Sequence, residues 1–339
     1  MLLRIQHETK LSYSFPVSET VFEIRMAPPS DEDQTGLSYR LRINPQAQVT
    51  SYRDGFGNRV DLFNVTTSYH DLVVHTTSFV RTHRRSVTER LSHAHTRWPD
   101  PRPIAIEALE YLQPSPLVPR CPQLDEFVAG LSFPHGTLVQ TLNRLMHIVR
   151  DRLRYEKSVT KARTPVCEAL DLGCGVCQDF AHLYIGACRG LGLPARYVSG
   201  YVNQPGEIAT HAWCQVWAGE PVGWVDVDPT HSRFLADDYV MTAVGRDYHD
   251  VPPNRGLWKG RAEESMSVAV KVEPVDRVPL EWNEWNTAAF RPMGASFQSQ
   301  SQRGGGNSSR ARRTRSAYPN QRSPKAGLHQ QQGEQQQQV

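Results

Sequence analysis

Gly173-Cys-Gly-Val-Cys-Gln-Asp-Phe-Ala-His182, continued by an apolar run that closes in Gly192-Leu-Pro194, is the stretch from which the fold can be read. Glycines 173 and 175 predict a turn, and Phe180, Tyr184, Ala187 and Leu191 then recur at helical spacing. Cys177 is therefore expected in the first turn of a buried helix. The partial positive charge and open N–H groups of a helix N-terminus favour an anion and lower a thiol's pKa, so this position predicts a thiolate nucleophile. On these residues alone the alternative is a small buried hydrophobe, the common fate of a free cysteine.

Downstream the period changes. Ala195–Val202, Thr210–Trp217 and residues 223–228 read as three strands in quick succession, the last two joined by a short Gly and Pro turn. A helix followed by an antiparallel sheet is an α+β layout, and residues 266–272 read as one more strand completing that sheet. His211 opens the second strand and Asp228 ends the third, so a hairpin carries both to the same end of the sheet. A cysteine at a helix N-terminus facing a strand histidine, itself oriented by an acid, is the general arrangement for nucleophilic acyl transfer. Asp226, two residues away on the same strand face, is the rival for the acid.

Upstream, residues 1–84 form a small all-β domain, read as a sandwich. Its strands are Leu3-Arg-Ile-Gln-His-Glu-Thr9, Thr20-Val-Phe-Glu-Ile-Arg-Met26, Leu37-Ser-Tyr-Arg-Leu-Arg-Ile43 and Asp71-Leu-Val-Val-His-Thr-Thr77. Turn clusters at Pro28-Pro29, Asp54-Gly-Phe-Gly-Asn58 and Ser68-Tyr-His-Asp71 separate them. His7, His70 and His75 lie in or beside these strands, where a lone histidine is more often structural than a metal ligand. Residues 85–122, rich in Arg and Pro with a helical patch at 104–112, read as a linker.

The core then spans residues 123–284. It opens with a short helix at 124–131 and a longer one at 138–155, which puts Leu138, Leu142, Leu145, Val149 and Leu153 on one face behind Thr137 as N-cap. A polar loop at 156–164 leads to the Cys177 stretch. Residues 285–339 are dominated by Gln, Ser, Gly and Arg and hold too little apolar surface to offset chain entropy, so they read as a disordered basic tail.

A chain of 339 residues has room for two cores, and its net charge of +3 conceals an asymmetry. From Arg303 onward seven Arg or Lys face the single acid Glu334, a balance of +6 that leaves the preceding chain at about −3. A solvated basic tail is the common outcome, so the arginines at 310–315 are not taken to indicate nucleic acid, and the tail's own partner stays open. No apolar run approaches the ~18 residues of a membrane span, so no membrane partner is expected. The first residues turn polar too soon for a secretory h-region, and the expected location is cytoplasmic. In that setting the six cysteines are expected as reduced thiols.

Gly175-Val-Cys177, His211-Ala-Trp213 and Asp228-Pro-Thr230, in that order, resemble the three-part core of the transglutaminase-like superfamily. The flanks agree: Gly192-Leu-Pro-Ala-Arg-Tyr-Val-Ser-Gly200 is similar to the family's passage from helix to strand, and Gly245-Arg-Asp-Tyr-His-Asp-Val-Pro-Pro253 to the loop that follows the core in bacterial members. His7-Glu-Thr9, Tyr13 and Asp54-Gly-Phe-Gly-Asn58 are similar to the β domain that precedes the core there. The resemblance covers residues 1 to about 280. It implies a papain-like core with Cys177, His211 and Asp228 as a catalytic triad, without a cofactor or metal, acting on a protein or peptide amide. Trp213 and Trp224 are expected to wall the site or to fill the core as plain strand aromatics.

The resemblance leaves open whether water or an amine resolves the thioester, and hydrolysis by a cysteine peptidase or amidase is preferred to transglutaminase activity. Two other classes remain. Cys174 and Cys177 form a C-x-x-C pair of the zinc or dithiol type, though no second pair accompanies it. The chain is alternatively a non-catalytic interaction module that uses the sandwich and tail.

Overall fold

The first two expected strands form one long β-strand, β1 (Leu2–Ile24), in which alternate residues such as Leu3, Ile5, Leu11, Phe22 and Ile24 are buried. The computed structural model describes residues 1–93, 97–98, 104–133, 136–204 and 210–282. The readings of residues 285–339, including the arginines at 310–315, lie outside the described residues. β1 changes register between Ser12 and Val17, around exposed Phe15 and Pro16, and this irregularity lets it serve two layers. Its first half pairs with β5 (Tyr69–Thr82), which in turn pairs with β2 (Gln34–Asn44); its second half pairs with β4 (Arg59–Val65), which pairs with β3 (Val49–Arg53). β3 and β4, absent from the sequence reading, flank the expected turn at residues 54–58. There Asp54 Oδ1 accepts the N–H groups of Phe56 and Asn58, each at 3.0 Å, and Gly57 takes φ +83°.

Where the expected linker is described, it is structured and packed. It includes α1 (Val87–His93) and a 3₁₀ turn at Ile106–Leu112, and its Leu117 and Val118 are buried in the helical core. Four helices follow: α2 (Pro122–Ala129), α3 (Leu138–Arg152), α4 (Val166–Leu172) and α5 (Cys177–Gly190). Thr137 caps α3 as expected, accepting from the Gln140 N–H while the Gln140 side chain accepts from the Thr137 N–H. α5 is buried from Cys177 through Cys188 on all its faces, as a helix enclosed by three others and a sheet must be.

Four antiparallel strands build the sheet behind α5: β6 (Ala195–Val202), β7 (Thr210–Trp217), β8 (Trp224–Asp228) and β9 (Tyr239–Gly245). With Arg233–Phe234 at one edge, the order is that pair, β8, β7, β6, β9. Residues 266–272 do form a strand, but not in this sheet. β9 takes the open edge of β6, whereas β10 (Asn254–Lys259) and β11 (Glu264–Pro274) return to the N-terminal domain and pair with β1. The chain thus closes its β-domain only after the core is complete. Gln34, Asn58 and Thr82 seal the two parts together through bonds to the backbone of Met241, Val244 and Asp237.

The cysteines are not all reduced. Cys121, the residue before α2, is bonded to Cys167 in α4, while Cys174, Cys177, Cys188 and Cys214 are free and buried. A sequence separation of 46 concealed this pair, because only the packing of α2 on α4 brings the two sulfurs together.

Candidate active site

The start of α5 is shaped by an acid three residues into the helix. Asp179 Oδ2 accepts the Val176 N–H at 2.8 Å and the Thr160 hydroxyl at 2.7 Å. A Cβ on Gly175 would lie 2.6 Å from Asp179 Cβ and collide with its carboxylate, so the first residue of Gly-Val-Cys has to be glycine. The turn before it uses Gly173 at φ +65° to end α4. The loop at 156–164 is pinned to the helix start by Thr160 and by a Gln178 Nε2 bond to the Ala162 carbonyl, 3.0 Å. Burial pushes the Asp179 carboxyl up to about 6, against its hydrogen bonds.

Cys177 stands at the helix N-terminus as expected, fully buried. Its ionisation runs opposite to expectation. Burial pushes the thiol up, and the charges of Asp228 and Asp179 add to the rise, while backbone hydrogen bonds from Ala212 and Gln178 act to lower it. The helix terminus works in the predicted direction but is outweighed by removal from water, so the resting thiol is protonated.

α5 packs on β7, with the Cys214 thiol donating to the Ala181 carbonyl at 3.3 Å. The Ala212 backbone that meets the Cys177 sulfur adjoins His211, whose ring is also fully buried. His211 Nε2 lies 2.7 Å from Asp228 Oδ2. An ionised carboxylate only accepts, so the ring carries its proton on Nε2 and presents a lone pair at Nδ1. Among the described residues, that buried Nδ1 has no hydrogen-bond partner.

Asp228 is held from several sides. Oδ2 also accepts from His231 Nδ1 at 2.7 Å and from the Tyr239 hydroxyl at 2.6 Å; Oδ1 accepts the N–H groups of Thr230 (2.8 Å) and His231 (3.2 Å). Burial alone would raise this carboxyl, but the two histidines hold it well below the usual carboxylate range. His231 and Tyr239 escaped the sequence reading. His231 directly follows Asp-Pro-Thr, a proximity that was available as a signal, whereas Tyr239 comes from β9 and carried none. His211 Nε2, Asp228 Oδ2 and His231 Nδ1 converge within 4.8 Å, a donor set metals use, yet each ring nitrogen is already bonded to the carboxylate. Among the described residues the free cysteines join no group of three metal-ligating side chains.

Asp226 is engaged elsewhere. Its Oδ1 accepts from Trp213 Nε1 at 2.8 Å, and its Oδ2 pairs with Arg84 at 2.9 Å, tying β8 to the segment that enters the core. Trp213 is fully buried beside His211, with ring centroids 6.3 Å apart. Gly200 is required beneath it, because a Cβ there would strike the indole and the Val240 carbonyl. Trp224 does not wall this site: it packs on Trp217 and Tyr111 under Arg196, at the far end of β8. His7 is structural, bonded to Tyr201 and Thr9 at the seam between the domains.

Comparison with known proteins finds relatives of both parts of the chain. The sequence profile of the transglutaminase-like superfamily matches residues 126–229, and that of the bacterial transglutaminase-like N-terminal region matches residues 3–81. An uncharacterized protein of Mycobacterium leprae is 31% identical over 285 residues, covering 80% of this chain and 98% of its own. One from Mycobacterium tuberculosis is 32% identical over 299 residues, covering 80% and 93%. The crystal structure of a candidate cysteine protease from Cytophaga hutchinsonii superposes with a TM-score of 0.62 over 82% of this chain and 93% of that one, at 20% identity, a likeness of fold.

Proposed function

The chain belongs to the transglutaminase-like superfamily, and from that premise we propose that it is a thiol enzyme acting on protein or peptide amides through Cys177, His211 and Asp228. The observation that carries the reading is the His211 ring: Asp228 holds its Nε2, while the buried Nδ1 is left without a partner beside the strand residue that touches the Cys177 sulfur. In this reaction Nδ1 takes the thiol proton as sulfur attacks the amide carbonyl, and the Cys177 N–H at the helix terminus stabilises the oxyanion. Nδ1–H then protonates the departing amine, leaving a thioester. Asp228 keeps the ring oriented and stabilises the imidazolium without taking the proton. Because burial disfavours the resting thiolate, ionisation is coupled to substrate entry.

Hydrolysis is the proposed fate of the thioester. Water outnumbers any amine, and aminolysis wins only where a site excludes water and holds the amine in place. The sequence offers no evident acidic cradle for an incoming lysine. The test incubates the full chain, and a Cys177→Ala control, with a peptide library, with and without a labelled primary amine, and identifies products by mass spectrometry. Cleaved or deamidated peptides that depend on Cys177 and carry no amine support hydrolysis. Efficient amine incorporation would make the enzyme a transglutaminase, and products equal to the control would leave an interaction module. The cytoplasmic location expected from the sequence is proposed with the Cys121–Cys167 bond counting against it, since the cytoplasm keeps thiols reduced; both thiols free in chain recovered from cells would support it, and a fully bonded pair would overturn it.

A further inference from the structure

We propose that His231 is a positioning residue of this site, clamping the Asp228 carboxylate so that His211 stays turned with Nδ1 toward Cys177. The inference rests on the triad reading above. His231 bonds both oxygens of the acid: its backbone N–H reaches Oδ1 at 3.2 Å and its ring Nδ1 reaches Oδ2 at 2.7 Å. Among the residues with hydrogen bonds to Asp228 described above, it is the one that grips both. A group attached at two points fixes the plane of a carboxylate as well as its position. That plane sets the direction from which His211 Nε2 is held, also at 2.7 Å, and the two rings lie 4.9 Å apart at 45°.

The chemistry fixes the tautomers. Since Oδ2 only accepts, His231 carries a proton on Nδ1 and His211 on Nε2, so the clamp reinforces the protonation that leaves the His211 Nδ1 lone pair available. Tyr239 supports the same oxygen from β9 at 2.6 Å but cannot restrain rotation of the carboxylate alone. Without the ring of His231, Oδ2 keeps only the Tyr239 hydroxyl beside His211, while Oδ1 keeps its two backbone N–H groups; the carboxylate is then held less firmly against turning about its own bond, and His211 shifts with it. Misplacement by about 1 Å costs a reacting pair on the order of 100-fold.

The test compares His231→Leu, which fills space without a donor, with His231→Asn, whose side-chain N–H occupies the place of Nδ1. The rate of Cys177 alkylation by iodoacetamide is followed by mass spectrometry on the full chain, below the melting temperatures of both variants. The Leu variant is expected to slow alkylation roughly 10- to 100-fold, and the Asn variant to recover most of the loss. In parallel, the His211 Nε2–H resonance is recorded in Cys177→Ser protein labelled at histidine nitrogen; it should move in the Leu variant and return in the Asn variant. Wild-type alkylation rates in the Leu variant, or equal losses in both, would overturn the proposal. Should Cys177 prove unreactive in the wild-type chain, the nucleophile reading fails, and the resonance alone decides the role of His231 because it needs no chemistry at sulfur.

Discussion

Replacing Asp179 by Asn should stabilise the protein at neutral pH and not in acid. The carboxyl is pushed up to about 6 in the folded chain, against about 3.9 when unfolded. A folded pKa above the unfolded one means that the native state binds the proton more tightly. Stability from this group is therefore complete below about pH 4 and lost as pH rises through about 6. A rise from about 3.9 to about 6 corresponds to about 3 kcal/mol, most of it developing between pH 4 and 7. Asn keeps an oxygen for the Val176 N–H and the Thr160 hydroxyl, both of which the acid binds through a single atom, and removes the buried charge. The melting-temperature difference between variant and wild type should grow by roughly 6–12 °C between pH 4 and 7, at 2–4 °C per kcal/mol for a domain of this size. Asp179 also contributes to the rise of the Cys177 thiol, so the variant should alkylate faster at neutral pH. A variant less stable than wild type by the same amount at both pH values would refute the reasoning, showing that the side chain serves as an ionised cap.

The two acids of β8 should separate by phenotype. Asp228→Asn is expected to lower turnover roughly 10²- to 10⁴-fold with the fold retained, whereas Asp226→Asn should chiefly cost stability, about 3 kcal/mol, by leaving buried Arg84 short of its partner; thermal melts and rates on the same preparations decide, and a larger rate loss at Asp226 would reverse the assignment. Gly175→Ala should cost about 2–3 kcal/mol, because the new Cβ displaces the Asp179 side chain and two hydrogen bonds are lost; an unchanged denaturation midpoint would show that the turn yields without cost. Cys121→Ser should lower stability by about 2–4 kcal/mol, given the 46-residue separation, and leave Cys177 alkylation unchanged; equal melting temperatures with and without reductant would show that the bond contributes nothing.

Much of the core could be read from local pattern. The helical spacing after Cys177, the switch to alternation after Pro194 and the turn before Asp228 each arise within about ten residues, which is the range over which periodicity and glycine placement act. Cys177, His211 and Asp228 were nameable because each ends or begins such an element, and a hairpin needs no distant information to align two strand ends. The β-domain was legible strand by strand but not in its closure. β11 alternates as any half-buried strand does, and nothing local distinguishes pairing with β1 from pairing with β6. Only the global competition between edges decides, and β9 takes the β6 edge.

The same limit governs the site. Asp226 and Asp228 share a strand face, and only the approach of Arg84 and Trp213 to one, and of His211, His231 and Tyr239 to the other, gave them different tasks. The Cys177 thiol shows why such environments are hard to foresee. A helix terminus is a local property and was read correctly, whereas burial and the nearby carboxylates of Asp179 and Asp228 depend on how the loop at 156–164, α5 and β8 assemble. Desolvation is a property of everything surrounding a group. The sequence by itself therefore determined which element ends carry Cys177, His211 and Asp228, and the tertiary structure alone decided their ionisation, their partners and the order of the strands.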